Sequence, residues 1–199
     1  MRAFDVAFAL AALVVTAPVL LVAMLAIRVE TPGAALFRQR RMGRGGRVFE
    51  LVKLRGMHTD ARERFPDLYD YARHQPEEAR AYFFHEHDDP RVTRVGRVLR
   101  RFSIDELPNF WNVVRGDMAI VGPRPEIPEL AHMYGTALPT ILSVRPGVTS
   151  PAKARGRDGL SLEETIASDL AYVEARSWRV DLLTIWHTVA NVVRGHGVS

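Results

Sequence analysis

"AFALAALVVTAPVLLVAMLAI", residues 7–27, contains no charged side chain and carries a proline, Pro18, near its middle. Counted from Val6, the uncharged run would make a straight helix of roughly 33 Å, enough to cross the hydrocarbon layer of a bilayer. Pro18, however, has no N–H for the carbonyl of Val14 and its ring presses on that turn, so the helix is expected to bend or break there. Each arm would then be about 10 to 13 residues long, which suits a re-entrant or interfacial hairpin. Thr16 offers a hydroxyl to the freed backbone group. On the residues alone, a proline-kinked spanning helix stands beside the re-entrant reading. A cleaved signal peptide fits less well, because "MRAFD" holds one Arg and one Asp ahead of a long apolar run. The basic residues that follow place the C-terminal body in the cytoplasm.

The chain has 199 residues, which accommodates a membrane segment over 1–30 and one compact domain over 31–199. With 47% hydrophobic and 25% charged residues it reads as folded rather than disordered. Its formal charge of +4 is concentrated in arginine clusters over 38–55 and 91–101, which predict anionic partners. The absence of cysteine excludes disulfides and cysteine-bound zinc.

"ALFRQRRMGRGGRVFELVKL", residues 35–54, alternates on both sides of Gly43–Gly46 and reads as a β-hairpin. "GRGG" lacks the lysine and spacing of a P-loop. Residues 60–90 are polar and proline-punctuated, with a helix-like piece over 77–82; His85 and His87 are read as part of a solvated loop rather than as metal ligands. In "RVTRVGRVLRR" the arginines 91, 94, 97 and 100 recur every three residues, a basic helical stripe.

The stripe runs into "SIDELPNFWNVVRGDMAIVGPRPEIPE", residues 103–129. Leu107, Phe110, Trp111 and Val114 have helical spacing, and Gly116 is a natural stop. Ser103 and Glu106 have the form of a capping box, and Asp105 suits the positive end of a helix dipole. A structural task for the acids is thus available. Against it stand the vicinal Asp105–Glu106 pair, the arginines before it, and "GPRPE", whose prolines mount Arg124 stiffly for bidentate phosphate binding.

Taken together, "KLRGM" (53–57), residues 88–126, "VRPGVTS" (144–150) and "DLAYVEARSWRVDLLTIWHTV" (169–189) resemble, in order, the bacterial sugar transferases, or monotopic phosphoglycosyl transferases. The resemblance implies an α+β, mainly helical fold with a β-hairpin, a proline-broken re-entrant membrane helix and interfacial amphipathic helices. It implies transfer of a phospho-sugar from a UDP-sugar to a polyprenol phosphate such as undecaprenol phosphate, with UMP released. Mg2+ and a covalent intermediate are implied too, with Asp105 as nucleophile and metal ligand and Glu106 as its catalytic partner. Lys53, Arg124 and Arg145 match positions suited to clamping phosphate, each with a surface ion pair as the structural alternative. Asp169 matches a family acid. A membrane-anchored basic module binding anionic lipid or nucleic acid would leave "GPRPE" and "RPG" without a role, and no nucleic-acid partner is expected. The implied location is the inner face of a bacterial cytoplasmic membrane. Oligomeric state is left open.

Two positions depart from the family pattern. Ala17 stands where many members have serine before the proline, and Ser150-Pro151-Ala152-Lys153 stands where many continue Gly-Trp or Gly-Leu. In the C-terminal stretch, Trp178 and Trp186 suit an interface, with Leu182, Ile185 and Val189 as its apolar side. Core packing explains the same residues equally well.

Overall fold

The computed structural model describes residues 2–69, 89–154 and 161–193; the helix-like piece over 77–82 and His85 and His87 lie outside them. The chain is mainly helical, with two small two-stranded sheets. Helix α1 (Arg2–Glu30) is one element of 29 residues with Pro18 inside it, so the proline does not divide it into two helices. Thr16 donates its hydroxyl to the Ala12 carbonyl at 2.7 Å, and so is not used on Val14. One missing hydrogen bond is a small perturbation when packing holds the turns on both sides of it.

That packing is visible at both ends. Near its start, Arg2 donates to the carbonyls of Val114 and Met118, and Asp5 accepts from the Ile120 amide. Ala9 is fully buried in the main core, and Phe8 meets Phe110 with ring centroids 6.1 Å apart. At its end, Glu30 accepts from the amides of Arg94 and Val95 at 2.8 and 3.0 Å, while Ala23 and Ile27 join a second core cluster with Leu54 and Leu99. A helix of roughly 43 Å is thus fastened at both ends to one globular body. Its other side is bare: Val14, Val15, Leu21, Val22, Leu25 and Val29 are 65–80% exposed. A continuous apolar strip of this kind marks an interaction surface.

Strands β1 (Leu36–Met42) and β2 (Val48–Leu54) form the antiparallel hairpin that the alternation predicts. Gly45 and Gly46 take φ of 68° and 78° in the turn, which a side chain would strain. Because strand side chains alternate, Lys53 shares the inward face of Phe49 and Leu51. Arg41 pairs across from Phe49 on that face.

Helix α2 (Arg94–Arg101) begins where the Thr93 hydroxyl accepts from the Gly96 amide. The arginine clusters are not uniformly solvated. Arg91 is buried and pairs with Asp89 at 2.8 Å, and Arg55 is buried, donating to the Thr31 and Pro32 carbonyls. These cations serve the fold, whereas Arg94, Arg97 and Arg101 are exposed.

The expected capping box does not form. Ser103 sits at φ 51° with no side-chain cap bond, residues Ile104–Glu106 make a single 3-10 turn, and helix α3 (Asn109–Arg115) starts only after Pro108. Glu106 is spent elsewhere, as described below. Gly116 ends α3 in the left-handed conformation, as its position predicts. Of the predicted apolar stripe, Phe110 and Val114 pack on the main core while Trp111 is half exposed, and Asn109, Asn112 and Val113 are the buried residues of α3. Fully buried Asn112 accepts from the Val52 amide at 3.0 Å and donates to the Glu50 carbonyl at 2.6 Å. It satisfies the free edge of β2 in place of a third strand.

Strands β3 (Ala119–Val121) and β4 (Gly147–Thr149) pair in parallel. After β4 come α4 (Pro151–Ala154), α5 (Leu162–Ala175) and α6 (Trp178–Val193). In α6 both readings of the sequence hold, for different residues. Ile185 packs on the core, while Trp178, Leu182, Trp186 and Val189 project outward, 43–70% exposed.

Candidate active site

The inward face of the hairpin, the turn before α3, the "GPRP" segment and the start of α4 surround a small cleft of about 70 Å3, open at its mouth. Arg41, Lys53, Glu106, Arg124 and Lys153 supply its charged lining, and Asn109 adds an amide.

Glu106 is the centre of that lining. Its Oε1 accepts from Lys53 Nζ at 2.9 Å, and its Oε2 accepts from Lys153 Nζ in an even closer contact. Burial pushes this carboxyl up, but the charges and hydrogen bonds of Lys153 and Lys53 outweigh it and hold the group well below the usual range. Glu106 is therefore a fixed anion between two ammonium groups. Lys53 is pulled below its ordinary value by burial, against the attraction of Glu106 and Asp105.

Asp105 has the opposite environment. It is 6% exposed, and its Oδ1 has no hydrogen-bond partner among the described residues. Burial raises its pKa, Glu106 adds to the rise, and Lys53, Lys153 and Arg100 oppose it. Two adjacent carboxyls thus differ: one is saturated with donors, the other retains a free oxygen. One helical turn on, Asn109 Oδ1 is likewise buried without a partner among the described residues.

Arg124 lines the cleft with its Nε 3.7 Å from Glu126, which also receives Arg41 at 3.6 Å; Arg41 in turn donates to the Pro125 carbonyl. Asp169, on α5, is 1% exposed beside this pair. Burial and the Glu126 charge push its pKa up to about 7, with the Arg124 amide and guanidinium opposing. It does not line the cleft, although Thr165, one turn earlier on α5, does.

The structure therefore brings Lys53, Glu106 and Arg124 to one cleft, with Asp105 buried beside Glu106. Arg145 is not among the lining residues: its Nε donates to the Gly116 carbonyl at 2.9 Å and secures the end of α3. Arg41, Asn109 and Lys153 also line the cleft and were not singled out as site residues from sequence. Arg41 is signalled by its register opposite Phe49, Asn109 by its place one turn after Asp105, and Lys153 by the departure it marks after "RPGVT".

No group of three or more His, Asp or Glu able to hold a metal occurs among the described residues. Mg2+ does not require one, since it commonly binds one or two carboxylates with substrate phosphates and water. The free oxygen of Asp105 fits that use.

Comparison with known proteins converges on one family. The family described as bacterial sugar transferase matches residues 1–195. The chain is 41% identical over 201 residues to a UDP-glucose:undecaprenyl-phosphate glucose-1-phosphate transferase of Caulobacter vibrioides, covering 96% of this chain and 69% of the relative. It is 35% identical to the exopolysaccharide production protein ExoY of Sinorhizobium fredii, over 98% of this chain and 86% of the relative. It is 37% identical to an undecaprenyl-phosphate glucose phosphotransferase of Komagataeibacter xylinus, over 94% of this chain and 35% of the relative.

Proposed function

Since the chain belongs to the bacterial sugar transferases, we propose that it moves a phospho-sugar from a UDP-sugar to a polyprenol phosphate through a covalent intermediate on Asp105. The observation that carries this reading is the contrast within the dyad: Asp105 keeps a buried, unpartnered oxygen, while Glu106 is locked between Lys53 and Lys153.

In the first step a carboxylate oxygen of Asp105 attacks the β-phosphorus of the donor. The bond from that phosphorus to the bridging oxygen breaks, and UMP leaves with the electron pair. In the second, an oxygen of the acceptor phosphate attacks the same phosphorus, giving polyprenyl-diphospho-sugar and returning the carboxylate. Anions repel at such a centre, so fixed positive charge must precede the reaction. Lys53, Lys153 and Arg124 line the cleft for this purpose. Glu106 holds the two ammonium groups in place and spares them a rearrangement when donor enters. Asp105 would hold Mg2+ together with donor phosphates, and the ion would supply further charge neutralisation at the diphosphate.

The acceptor is a membrane lipid, and the bare strip of α1 and the outer face of α6 suit the lipid boundary. Both ends of α1 bond to one globular body, which supports a helix that rests at the membrane rather than crossing it, with the cleft on the cytoplasmic side of the inner membrane.

The test is intact-mass analysis after incubation with a panel of UDP-sugars and Mg2+ in the absence of acceptor. A phospho-sugar adduct with release of UMP is expected, and Asp105→Asn should abolish both. Undiminished turnover in Asp105→Asn would overturn the mechanism.

A further inference from the structure

Asn109 lines the cleft, and the reaction proposed above gives it no task. It is 3% exposed, and its Oδ1 is buried with no hydrogen-bond partner among the described residues. A dry, unpaired amide oxygen costs free energy that an apolar side chain in the same place would not, so an acceptor held this way is explained when a ligand brings it a proton. The backbone keeps it close to the dyad. After the 3-10 turn Ile104–Glu106, Leu107 and Pro108 retain right-handed helical dihedrals, so the coil runs unbroken into α3 and Asn109 stands about one turn beyond Asp105. The charged groups around it are suited to other work: Arg41, Lys53, Arg124 and Lys153 are donors matched to phosphate, and both oxygens of Glu106 are taken. A phosphate oxygen in its ionised form only accepts, so it does not satisfy Asn109 Oδ1.

We propose that Asn109 Oδ1 accepts a hydrogen bond from the substituent on carbon 2 of the donor's sugar, a hydroxyl or an acetamido N–H, and so selects donors that carry one. The inference rests on the reaction proposed above and deepens it by naming the part of the sugar that is read. With the β-phosphorus at Asp105, the nearest hydrogen-bond donor on a hexosyl phosphate is the group on carbon 2, because the ring oxygen on the other side of carbon 1 only accepts. One helical turn rises about 5 Å, the scale that separates a phosphorus from that group. The cleft, at about 70 Å3, has room for a phosphoryl group and the atoms next to it, and not for a whole hexose. Recognition by Asn109 therefore falls on carbon 2, and the far edge of the ring stays at the mouth.

The experiment uses the full chain in detergent with Mg2+ and reads the initial release of UMP, with intact mass of the adduct as a check. UDP-glucose, UDP-galactose and their 2-acetamido counterparts are each compared with the 2-deoxy analogue of the same ring, in wild type and in Asn109→Ala. The wild-type protein is expected to favour its best donor over the 2-deoxy analogue by about tenfold or more, the scale on which one buried acceptor left unpaired is felt. Asn109→Ala is expected to use the two nearly equally, the substrate and the side chain being one coupled pair. Asn109→Leu, which fills the same space without an amide, supplies the comparison if Asn109→Ala does not fold. A wild type without the preference, or a preference that survives in a folded variant, overturns the proposal. An equal loss on both donors, as a phosphate contact or a purely structural role would give, overturns it too, as does a raised Mg2+ requirement with the preference intact. Failure of the wild-type protein to release UMP from any donor would instead overturn the proposed reaction.

Discussion

Asp169 is expected to make the protein less stable as pH rises, and Asp169→Asn to remove that effect. The carboxyl is 1% exposed beside Glu126, and its pKa moves from 3.8 to about 7 on folding, chiefly through burial. Between those values the folded chain holds a proton that the unfolded chain has released, so stability falls with pH across this window. The slope approaches about 1.4 kcal/mol per pH unit, and the difference of about three units amounts to roughly 4 kcal/mol once the pH is above the folded value. Asn keeps the shape without the charge. Wild type and Asp169→Asn should therefore be similar near pH 4 and diverge to roughly 4 kcal/mol near pH 8, with the variant more stable. Urea denaturation followed by tryptophan fluorescence in detergent, at a series of pH values, reads the difference directly. Taking the difference cancels groups that titrate alike in both chains. A difference that stays flat from pH 4 to pH 8, or a variant less stable at the alkaline end, would refute the assignment of a buried, proton-holding Asp169. A cost of this size for an acid outside the cleft lining is consistent with a positioning task for Arg124, which it faces.

Lys153→Gln should lower kcat/KM by about ten- to a hundredfold, the scale of one charge-assisted hydrogen bond, while Lys153→Arg retains more activity; equal rates in wild type and Gln variant would remove Lys153 from the site. Asn112→Ala leaves the Val52 amide and Glu50 carbonyl unpaired and should cost about 3 kcal/mol, measurable by the same denaturation; a loss under about 1 kcal/mol would mean that water satisfies the strand edge. Because the chain has no cysteine, a single cysteine near Arg2 should react with an impermeant thiol reagent only from the cytoplasmic side, and labelling from outside would establish a spanning helix instead.

Elements governed by local rules were legible in the sequence. The hairpin followed from period-two alternation around glycines, the end of α3 from Gly116, and the long apolar helix from composition. The dyad, Lys53 and Arg124 came from motif resemblance, and the cleft lies where those residues meet. What was not legible depends on partners remote in the chain. Ser103–Glu106 has the spelling of a capping box, but Glu106 gains more from two lysines 53 and 47 positions away than from a backbone amide. On α3, Phe110 and Val114 pack on the core as their spacing predicts, but the burial of Asn112 was not legible, because a polar residue enters the core where a strand edge elsewhere requires its amide. Pro18 suggested a break, yet contacts on both sides carry the helix through it.

The joint at Glu106 has a consequence for when this protein becomes competent. Its three participants come from the hairpin, the turn before α3 and the helix after β4, so no fragment that lacks any of these elements has the joint complete. During synthesis, a chain that ends before Lys153 exposes an acid with one ammonium partner instead of two, and contacts of such wide sequence separation form late. A chain that stops short of Lys153 therefore lacks one of the two cations that hold Glu106.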